Sequence, residues 1–179
     1  MSVLVIGPEK CGNHLGVKAV RLFKSPPKVV QDHTTITDGY DYVILMLRNP
    51  RNVLFSLLRW EQRERNTPNA VEIIPQFIRN YEQYLELIGQ PNVMVVRFEE
   101  LLSMPSVVDD LGDFLGLEPG DEHFKSLWGD TRTFTNDLTD WRKFWTNGID
   151  VTWRDYGGYD LEQQINCDVN RRYVRKIIG

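Results

Sequence analysis

The residues most able to do chemistry form a candidate phosphate-binding loop near the start of the chain, in the sequence G-P-E-K-C-G-N-H. Gly7 and Gly12 have the G-x-x-x-x-G spacing of such loops. Asn13 and His14 stand where the nucleotide-hydrolysing version carries Lys and Ser or Thr. Lys10 lies inside the loop, where it adds a positive charge to the backbone N–H groups and helix N-terminus that can hold an anion. The spacing alone is equally typical of a plain strand-to-helix turn.

Arginines follow the predicted strands at positions where a metal-dependent phosphotransferase carries an aspartate. Arg48 ends one strand and Arg97 ends a later one, so hydrolysis or transfer of a nucleotide γ-phosphate is poorly supported. Ser56 lies on the helix that follows Arg48. Arginine makes bidentate contacts with phosphate, and a hydroxyl adds one more donor. These residues indicate a phosphate-like ligand that is held by cations. The structural alternative is that Arg48 caps a strand and Ser56 packs against a helix.

The predicted helices and strands place these residues at one edge of a sheet. Continuous apolar runs bounded by turn residues predict buried strands, and apolar residues at helical spacing predict amphipathic helices. The predicted strands are Val3–Ile6, Lys28–Gln31, Asp41–Leu47 and Val93–Val96, and the predicted helices span roughly 12–23, 50–65 and 71–88. We expect Pro75 in the first turn of the last of these helices, or at a kink. The alternation indicates a three-layer α/β/α fold with a central parallel sheet, whose ligands bind at the carboxyl ends of the strands.

Composition indicates a single soluble domain over residues 1–179. The chain is 41% hydrophobic and 26% charged, which is ordinary for a globular protein. A net charge of −4 provides no general attraction to nucleic acid or to an anionic membrane. Two cysteines, Cys11 and Cys167, fit a reducing compartment, and the sequence shows neither a signal peptide nor a membrane-spanning run. We therefore expect a cytoplasmic protein.

Four segments resemble the motifs of sulfotransferases that use 3′-phosphoadenosine 5′-phosphosulfate (PAPS). GPEKCGNHL and LRNPRNVLFSLLRW resemble the 5′-phosphosulfate loop of that family and its R-N-P-x-D-x-x-x-S motif for the 3′-phosphate. Residues 93–118 resemble the strand, R-Y-E-D-L turn and helix of the family, and NDLTDWRKFW resembles its G-x-x-G-D-W-[KR] segment. The match runs in family order over nearly the whole chain. It implies a P-loop-like fold and a metal-free transfer of a sulfuryl group from PAPS that leaves PAP.

The resemblance implies roles for individual residues. Lys10 corresponds to the lysine that contacts the bridging oxygen and the transferring sulfuryl group, and is therefore expected to be catalytic. Arg48 and Ser56 correspond to ligands of the 3′-phosphate, and Phe98 replaces the tyrosine that contacts adenine. The implied cofactor-binding residues are Pro8, Glu9, Lys10, Cys11, Gly12, Asn13, His14, Arg48, Ser56, Phe98 and Arg132.

Several positions depart from the family pattern. Asn13 and His14 replace two threonines that hold the 5′-phosphate, and Asn52 replaces an aspartate. The R-K-G triplet that closes over the 3′-phosphate in cytosolic members is absent, because residues 134–136 read F-T-N, and Arg132 is the nearest substitute. The nucleotide pocket is therefore expected to differ in detail from that of the family.

The general base and the acceptor site are less well defined by the motifs. Transfer to a hydroxyl or amine benefits from a base, and histidine is the usual one at neutral pH. We expect His33 in this role, because many family members carry a histidine after the second strand; a surface-loop histidine is the alternative, and Asp32, Glu61 or Glu64 could serve instead. The acceptor is expected among aromatic side chains, although such side chains pack more often into a core: Phe55, Trp60, Phe77, Tyr81 and Trp145.

The sequence leaves three functions open. The first is a PAPS-dependent sulfotransferase that acts on a hydroxyl or amine without a metal. The second is a metal-dependent nucleotide kinase or NTPase, against which the loop argues. The third is a non-catalytic PAP(S)-binding protein, which the replaced threonines and the missing R-K-G keep open. The expected partners are an unidentified sulfate acceptor and, as one option, a second copy of the chain, whereas nucleic acid and a membrane span are not expected.

Overall fold

The computed structural model describes residues 1–50, 52–54, 56–57, 70–104, 106–118 and 120. In chain order the elements are β1 (Ser2–Ile6), α1 (Asn13–Arg21), β2 (Lys28–Gln31), β3 (Tyr42–Leu47), α2 (helical residues 50, 52–54 and 56–57), α3 (Ala70–Leu85), β4 (Val93–Arg97), α4 (Phe98–Ser103) and α5 (Ser106–Leu115). Outside the described residues lie Phe55, Trp60, Glu61, Glu64, Arg132, Trp145, Cys167 and the segment NDLTDWRKFW. Within the described ranges, no helix combines the length and the apolar composition needed to cross a membrane.

The four strands form one parallel sheet in the order β2–β1–β3–β4. Val5 of β1 pairs with Gln31 on one side and with Ile44 on the other, and Leu45 of β3 pairs with Val95 of β4. From β1 the chain moves outward to β2, and from β3 it moves outward to β4 in the opposite direction. The connections that follow the neighbouring strands β1 and β3 therefore run in opposite directions across the sheet. This is the switch point at which open α/β sheets bind ligands.

Protein covers both faces of the two central strands. Val3–Ile6 of β1 and Val43–Leu47 of β3 are runs of consecutive residues with 0% exposure. Successive side chains of a strand point to opposite faces of the sheet, so such runs require packing layers above and below it. The predicted three-layer α/β/α arrangement with a parallel sheet is therefore confirmed.

Helix α1 packs closely against the sheet. Leu15, Ala19 and Val20 are its buried apolar residues. A Cβ atom on Gly16 would lie only 2.7 Å from the sulfur of Met46, so a larger residue at this position would push the helix away. The close packing holds the N-terminus of α1 near the carboxyl ends of β1 and β3.

Helix α3 contributes an aromatic face to the core. The rings of Phe77 and Tyr81 have centroids 5.4 Å apart, and Tyr81 and Leu85 are fully buried. These positions follow the apolar stripe that the sequence predicted, at the spacing of an amphipathic helix. Phe77 and Tyr81, which the sequence also offered as acceptor contacts, thus belong to the core.

The limits of α3 differ from those predicted. The helix ends at Leu85 instead of Ile88, because the N–H groups of Leu87 and Ile88 bond to carbonyls three residues earlier, at 3.2 and 3.3 Å, in a tighter turn. Pro75 lies beyond the first turn of a helix that begins at Ala70. Of the two positions expected for Pro75, the first turn is therefore wrong, and a kink remains a prediction.

Candidate active site

The carboxyl ends of the four strands bring the predicted site residues to one edge of the sheet. The loop 7–12 follows β1, His33 follows β2, Arg48 follows β3 and Phe98 follows β4. Because all four strands are parallel, these positions share one edge. The residues that the sequence predicted as separate motifs therefore form one cluster.

The loop that begins at Gly7 is a compact turn held by its own backbone. The N–H of Cys11 donates to the carbonyl of Pro8 over 3.2 Å, and Lys10 has a φ of 66°. A Cβ on Gly7 would lie 2.2 Å from the carbonyl oxygen of Met46, so only glycine fits this close approach to β3. Cys11 is fully buried and anchors the loop in the core. Burial raises the pKa of its thiol, which therefore stays protonated at neutral pH.

The N-terminus of α1 has the properties of an anion site. Its N-cap, Gly12, makes no side-chain capping bond, and no acidic residue lies in the first turn. The first N–H groups of a helix have no partner within the helix, and the helix dipole is positive there. Although His14 is exposed, desolvation by nearby protein atoms lowers its pKa, and the charges of His33 and Lys10 lower it further. An anion at this terminus would meet backbone donors together with the charge of Lys10.

Arg48 connects the end of β3 to the loop. Its side chain is 6% exposed, and Nη1 donates to the carbonyl of Lys10 over 3.2 Å. The guanidinium carbon lies 4.7 Å from the centre of the Phe98 ring, which is a cation–π contact. Burial lowers the pKa of Arg48, while Cys11 and Glu99 oppose the shift. The guanidinium remains charged at neutral pH, because the pKa of arginine starts above 12.

Phe98 supports the loop from within the protein. The side chain is 6% exposed, and a Cβ on Gly12 would lie 2.4 Å from its Cδ2 atom. The ring therefore packs against Gly12 and also makes the cation–π contact with Arg48. Sequence reasoning expected Phe98 to contact adenine and did not anticipate this supporting role.

Two tyrosines of α3 fix the backbone on either side of the site. The hydroxyl of Tyr81 donates to the carbonyl of Arg48 over 2.5 Å, and that of Tyr84 donates to the carbonyl of His33 over 2.6 Å. Burial raises the pKa of Tyr84, so its hydroxyl stays protonated as a donor. The sequence predicted an amphipathic helix here and did not indicate these two bonds. The available signal was the pair of hydroxyls on a buried face, because a buried tyrosine hydroxyl usually has a partner.

His33 is held against the start of the loop. Its Nδ1 atom lies 3.1 Å from the carbonyl oxygen of Gly7, and Nδ2 of Asn13 donates to the same oxygen over 2.9 Å. The carboxylate of Asp32 accepts the backbone N–H of His33 over 2.6 Å. Asn13 is 4% exposed and directs its amide donor at Gly7. Asn13 can therefore contact a phosphate only through its backbone N–H.

The remaining predicted residues divide into three groups. Ser56 is buried on α2, at 5% exposure. Within the loop, Pro8 is buried and Glu9 is exposed. Arg132 and the alternative bases Glu61 and Glu64 lie outside the described residues, so their roles remain predictions.

Comparisons with known proteins identify the fold. No protein-family profile matches the sequence, and no curated protein matches it significantly. Among solved structures, the mouse sulfotransferase SULT7A1 complexed with PAP has a TM-score of 0.70 at 11% identity, over 98% of this chain and 84% of that chain. Retinol dehydratase in complex with androsterone and the inactive cofactor PAP has a TM-score of 0.72 at 14% identity, over 99% of this chain and 82% of that chain. At identities this low the likeness shows the fold alone, and the chain shares the fold of these two structures, as the sequence motifs predicted.

Proposed function

We propose that this protein is a sulfotransferase that moves a sulfuryl group from PAPS to a hydroxyl or amine acceptor. The observation that carries the proposal is the uncapped N-terminus of α1 with Lys10 beside it, at the same sheet edge as Arg48 and His33. The two solved structures of this fold, both described as complexes with PAP, support it. We further propose that residues 1–179 form one domain.

The described residues fit a nucleotide that carries phosphate groups at two positions. The backbone donors of Gly12, Asn13 and His14 and the charge of Lys10 suit the 5′ end, because the helix terminus has neither a cap nor an acidic residue. Arg48 and Ser56 suit the 3′-phosphate, since a guanidinium carries five N–H donors in a planar fork. When bound, PAPS supplies an activated sulfuryl group for the acceptor, and PAP is the product.

Lys10 places a positive charge where negative charge develops on the leaving oxygen. Its backbone is held in place before any ligand binds, because its carbonyl accepts a hydrogen bond from the buried Arg48. The positive φ of Lys10 sets the direction in which its side chain leaves the loop. Such prior ordering lowers the free energy that must be spent on orienting the charge during the reaction.

His33 is the proposed general base, which takes the proton of the acceptor hydroxyl or amine. The histidine is exposed at the carboxyl edge of the sheet, so an acceptor can reach it. Asp32 is a weaker candidate, because its carboxylate already accepts the backbone N–H of His33 over 2.6 Å.

The test of the proposal is thermal unfolding with PAP, and separately with ADP and ATP, each with and without Mg²⁺. PAP at 100 times its dissociation constant should stabilise the fold by about 2.7 kcal/mol, which raises Tm by roughly 5–11 °C for a domain of this size. This effect should not depend on Mg²⁺. Stabilisation only by ATP with Mg²⁺ would contradict the proposal and favour a nucleotide kinase.

A transfer assay then separates an enzyme from a binding protein. PAP formation from PAPS is followed over a panel of carbohydrate, lipid, small-molecule and peptide acceptors. Lys10→Ala should abolish most turnover, whereas the matched Lys28→Ala, an exposed lysine at the amino end of β2, should not affect it. His33→Ala should lower turnover about 10²–10⁴-fold, the usual contribution of a general base. PAP binding without transfer to any acceptor would leave a non-catalytic binding protein.

A further inference from the structure

One peptide group at the end of β3 is bound by side chains at both of its polar atoms. The carbonyl oxygen of Arg48 accepts a hydrogen bond from the Tyr81 hydroxyl over 2.5 Å. The N–H of the next residue, Asn49, donates to Oε1 of Glu99 over 2.9 Å. Tyr81 lies on α3 and Glu99 on α4, 33 and 50 positions further along the chain than their partners. Two separate helices therefore contact the same peptide group.

The direction of each of these hydrogen bonds is unambiguous. A backbone carbonyl only accepts and a backbone N–H only donates, so the Tyr81 hydroxyl is the donor and the Glu99 oxygen is the acceptor. The Arg48–Asn49 peptide is trans, and in a planar trans peptide the C=O and the N–H point in opposite directions. Tyr81 and Glu99 therefore bind the peptide from opposite sides, and it cannot rotate without breaking one of the two bonds.

The side chain of Arg48 starts from this fixed peptide. Tyr81 is fully buried, and its hydroxyl binds the Arg48 carbonyl, so it influences a ligand only through Arg48. The negative charge of Glu99 also acts on the guanidinium, since it raises the pKa of Arg48 against the effect of burial. The guanidinium itself is held further out, where Nη1 donates to the Lys10 carbonyl over 3.2 Å.

We propose that Tyr81 and Glu99 are positioning residues that hold the Arg48–Asn49 peptide and thereby aim the Arg48 guanidinium at the 3′-phosphate of the nucleotide. The aim at that phosphate rests on the proposed function, whereas the binding of the peptide by two side chains does not. A guanidinium binds phosphate best through two N–H groups in one plane. Fixing the backbone from which it extends lowers the ordering cost of reaching that geometry.

Tyr84 provides a matched comparison on the same helix. It lies three residues after Tyr81 and is also buried, but its hydroxyl donates to the carbonyl of His33 over 2.6 Å. Tyr81→Phe and Tyr84→Phe therefore remove the same atom from the same helix and differ in the carbonyl that loses its donor. A general weakening of α3 would affect both variants, whereas a role through Arg48 affects only Tyr81→Phe.

Calorimetric titrations with PAP and with ADP measure the effect on the ligand. Each nucleotide carries two phosphate groups, but only PAP has one at the 3′ position. We expect Tyr81→Phe to lower the affinity for PAP about 2- to 13-fold relative to that for ADP, the change that corresponds to one hydrogen bond, and Tyr84→Phe to leave this ratio unchanged. An unchanged ratio in Tyr81→Phe, or an equal change in Tyr84→Phe, would overturn the proposal.

Variants of Glu99 test the other side of the peptide and serve if Tyr81→Phe does not fold. Glu99→Gln removes the charge but keeps an oxygen that can accept from Asn49, whereas Glu99→Ala removes both. The ratio of PAP to ADP affinity should therefore be lower in Glu99→Ala than in Glu99→Gln, again by about 2- to 13-fold. Equal ratios in these two variants would exclude Glu99 as a positioning residue.

Hydrogen exchange at the Asn49 amide examines the peptide without any ligand, because a hydrogen-bonded N–H exchanges slowly with water. We expect slow exchange in the unmodified protein and in Glu99→Gln, and faster exchange in Glu99→Ala. An Asn49 amide that exchanges as fast as in an unfolded chain would overturn the proposal. If the unmodified protein binds ADP as tightly as PAP, the proposed function fails and the aim of Arg48 fails with it. If PAP is preferred but Tyr81→Phe and Glu99→Ala keep that preference, only this inference fails.

Discussion

Gly12→Ala is the substitution for which the structure gives the sharpest expectation. Gly12 has a φ of +88°, and an added Cβ would lie 2.4 Å from Cδ2 and 2.9 Å from Cε2 of Phe98. The new methyl group must displace the phenyl ring or the start of α1. Phe98 also contacts the Arg48 guanidinium. A shift of either the phenyl ring or the start of α1 would therefore disturb the site.

The expected loss of stability has two parts. Alanine at positive φ costs about 1–2 kcal/mol, of which about 0.4–1 kcal/mol is offset because alanine restricts the unfolded chain. Overpacking against Phe98 adds about 1–3 kcal/mol. We therefore expect Gly12→Ala to lower the free energy of unfolding by about 1–5 kcal/mol.

Gly89→Ala is the matched control for the backbone contribution. Gly89 has a φ of +94°, and nothing lies within 4 Å of the position that a Cβ would take there, so this variant should lose only about 1 kcal/mol. Urea unfolding followed by far-UV circular dichroism gives both free energies. PAP should stabilise Gly89→Ala as it does the unmodified protein, and Gly12→Ala less, because the methyl group shifts the N-terminus of α1.

The comparison of the two glycine variants decides whether the reasoning holds. Equal stability losses for Gly12→Ala and Gly89→Ala would show that Phe98 does not pack against Gly12 as described. A Gly12→Ala protein with full PAP affinity would show that the N-terminus of α1 is not part of the nucleotide site. Either result would refute the link between loop packing and ligand binding.

Three further predictions concern charged and titratable groups. Arg48→Ala should weaken PAP binding by about 1.5–3 kcal/mol, or about 13- to 160-fold in Kd, as expected for charge-assisted contacts. Arg48→Lys should recover only part of the affinity. Unchanged affinity in a calorimetric titration would contradict the 3′-phosphate assignment. Hydrogen bonds from the backbone N–H and the hydroxyl of Ser2, at 2.7 and 3.1 Å, lower the pKa of Asp41. The stabilisation from Asp41 is therefore present above about pH 4 and is lost as the pH falls through the lowered pKa. The Tm difference between the unmodified protein and Asp41→Asn should therefore shrink on acidification. A Tm difference that calorimetry finds constant from neutral to acid pH would refute this. Cys11 is fully buried, and burial raises the pKa of its thiol. In a Cys167→Ser protein, Cys11 should therefore resist iodoacetamide in the native state and react in the unfolded state. Rapid labelling of the native protein, detected by mass spectrometry, would disprove the buried position of Cys11.

The main helices and strands and the order of the motifs can be predicted from the amino-acid sequence. The apolar runs from Val3 and from Val43 predict buried strands because only a sheet covered on both faces accepts such runs. The spacing of Gly7, Lys10 and Gly12 predicts a phosphate loop between strand and helix. Parallel connectivity then brings this loop, His33 and Arg48 to one edge. These inferences succeed because they depend on local periodicity and on the rule that ligands bind at the carboxyl ends of parallel strands.

The contacts that these side chains make depend on how the chain packs. Arg48 supports the loop through the Lys10 carbonyl, Tyr84 fixes the backbone of His33, and Asn13 turns its amide to Gly7. The first two of these bonds join residues 38 and 51 positions apart in the chain. No local pattern specifies such partners, because they depend on which strands are neighbours and on how deeply each helix packs. The sequence therefore indicated where the site lies, and packing determined which groups face a ligand and which hold the others in place.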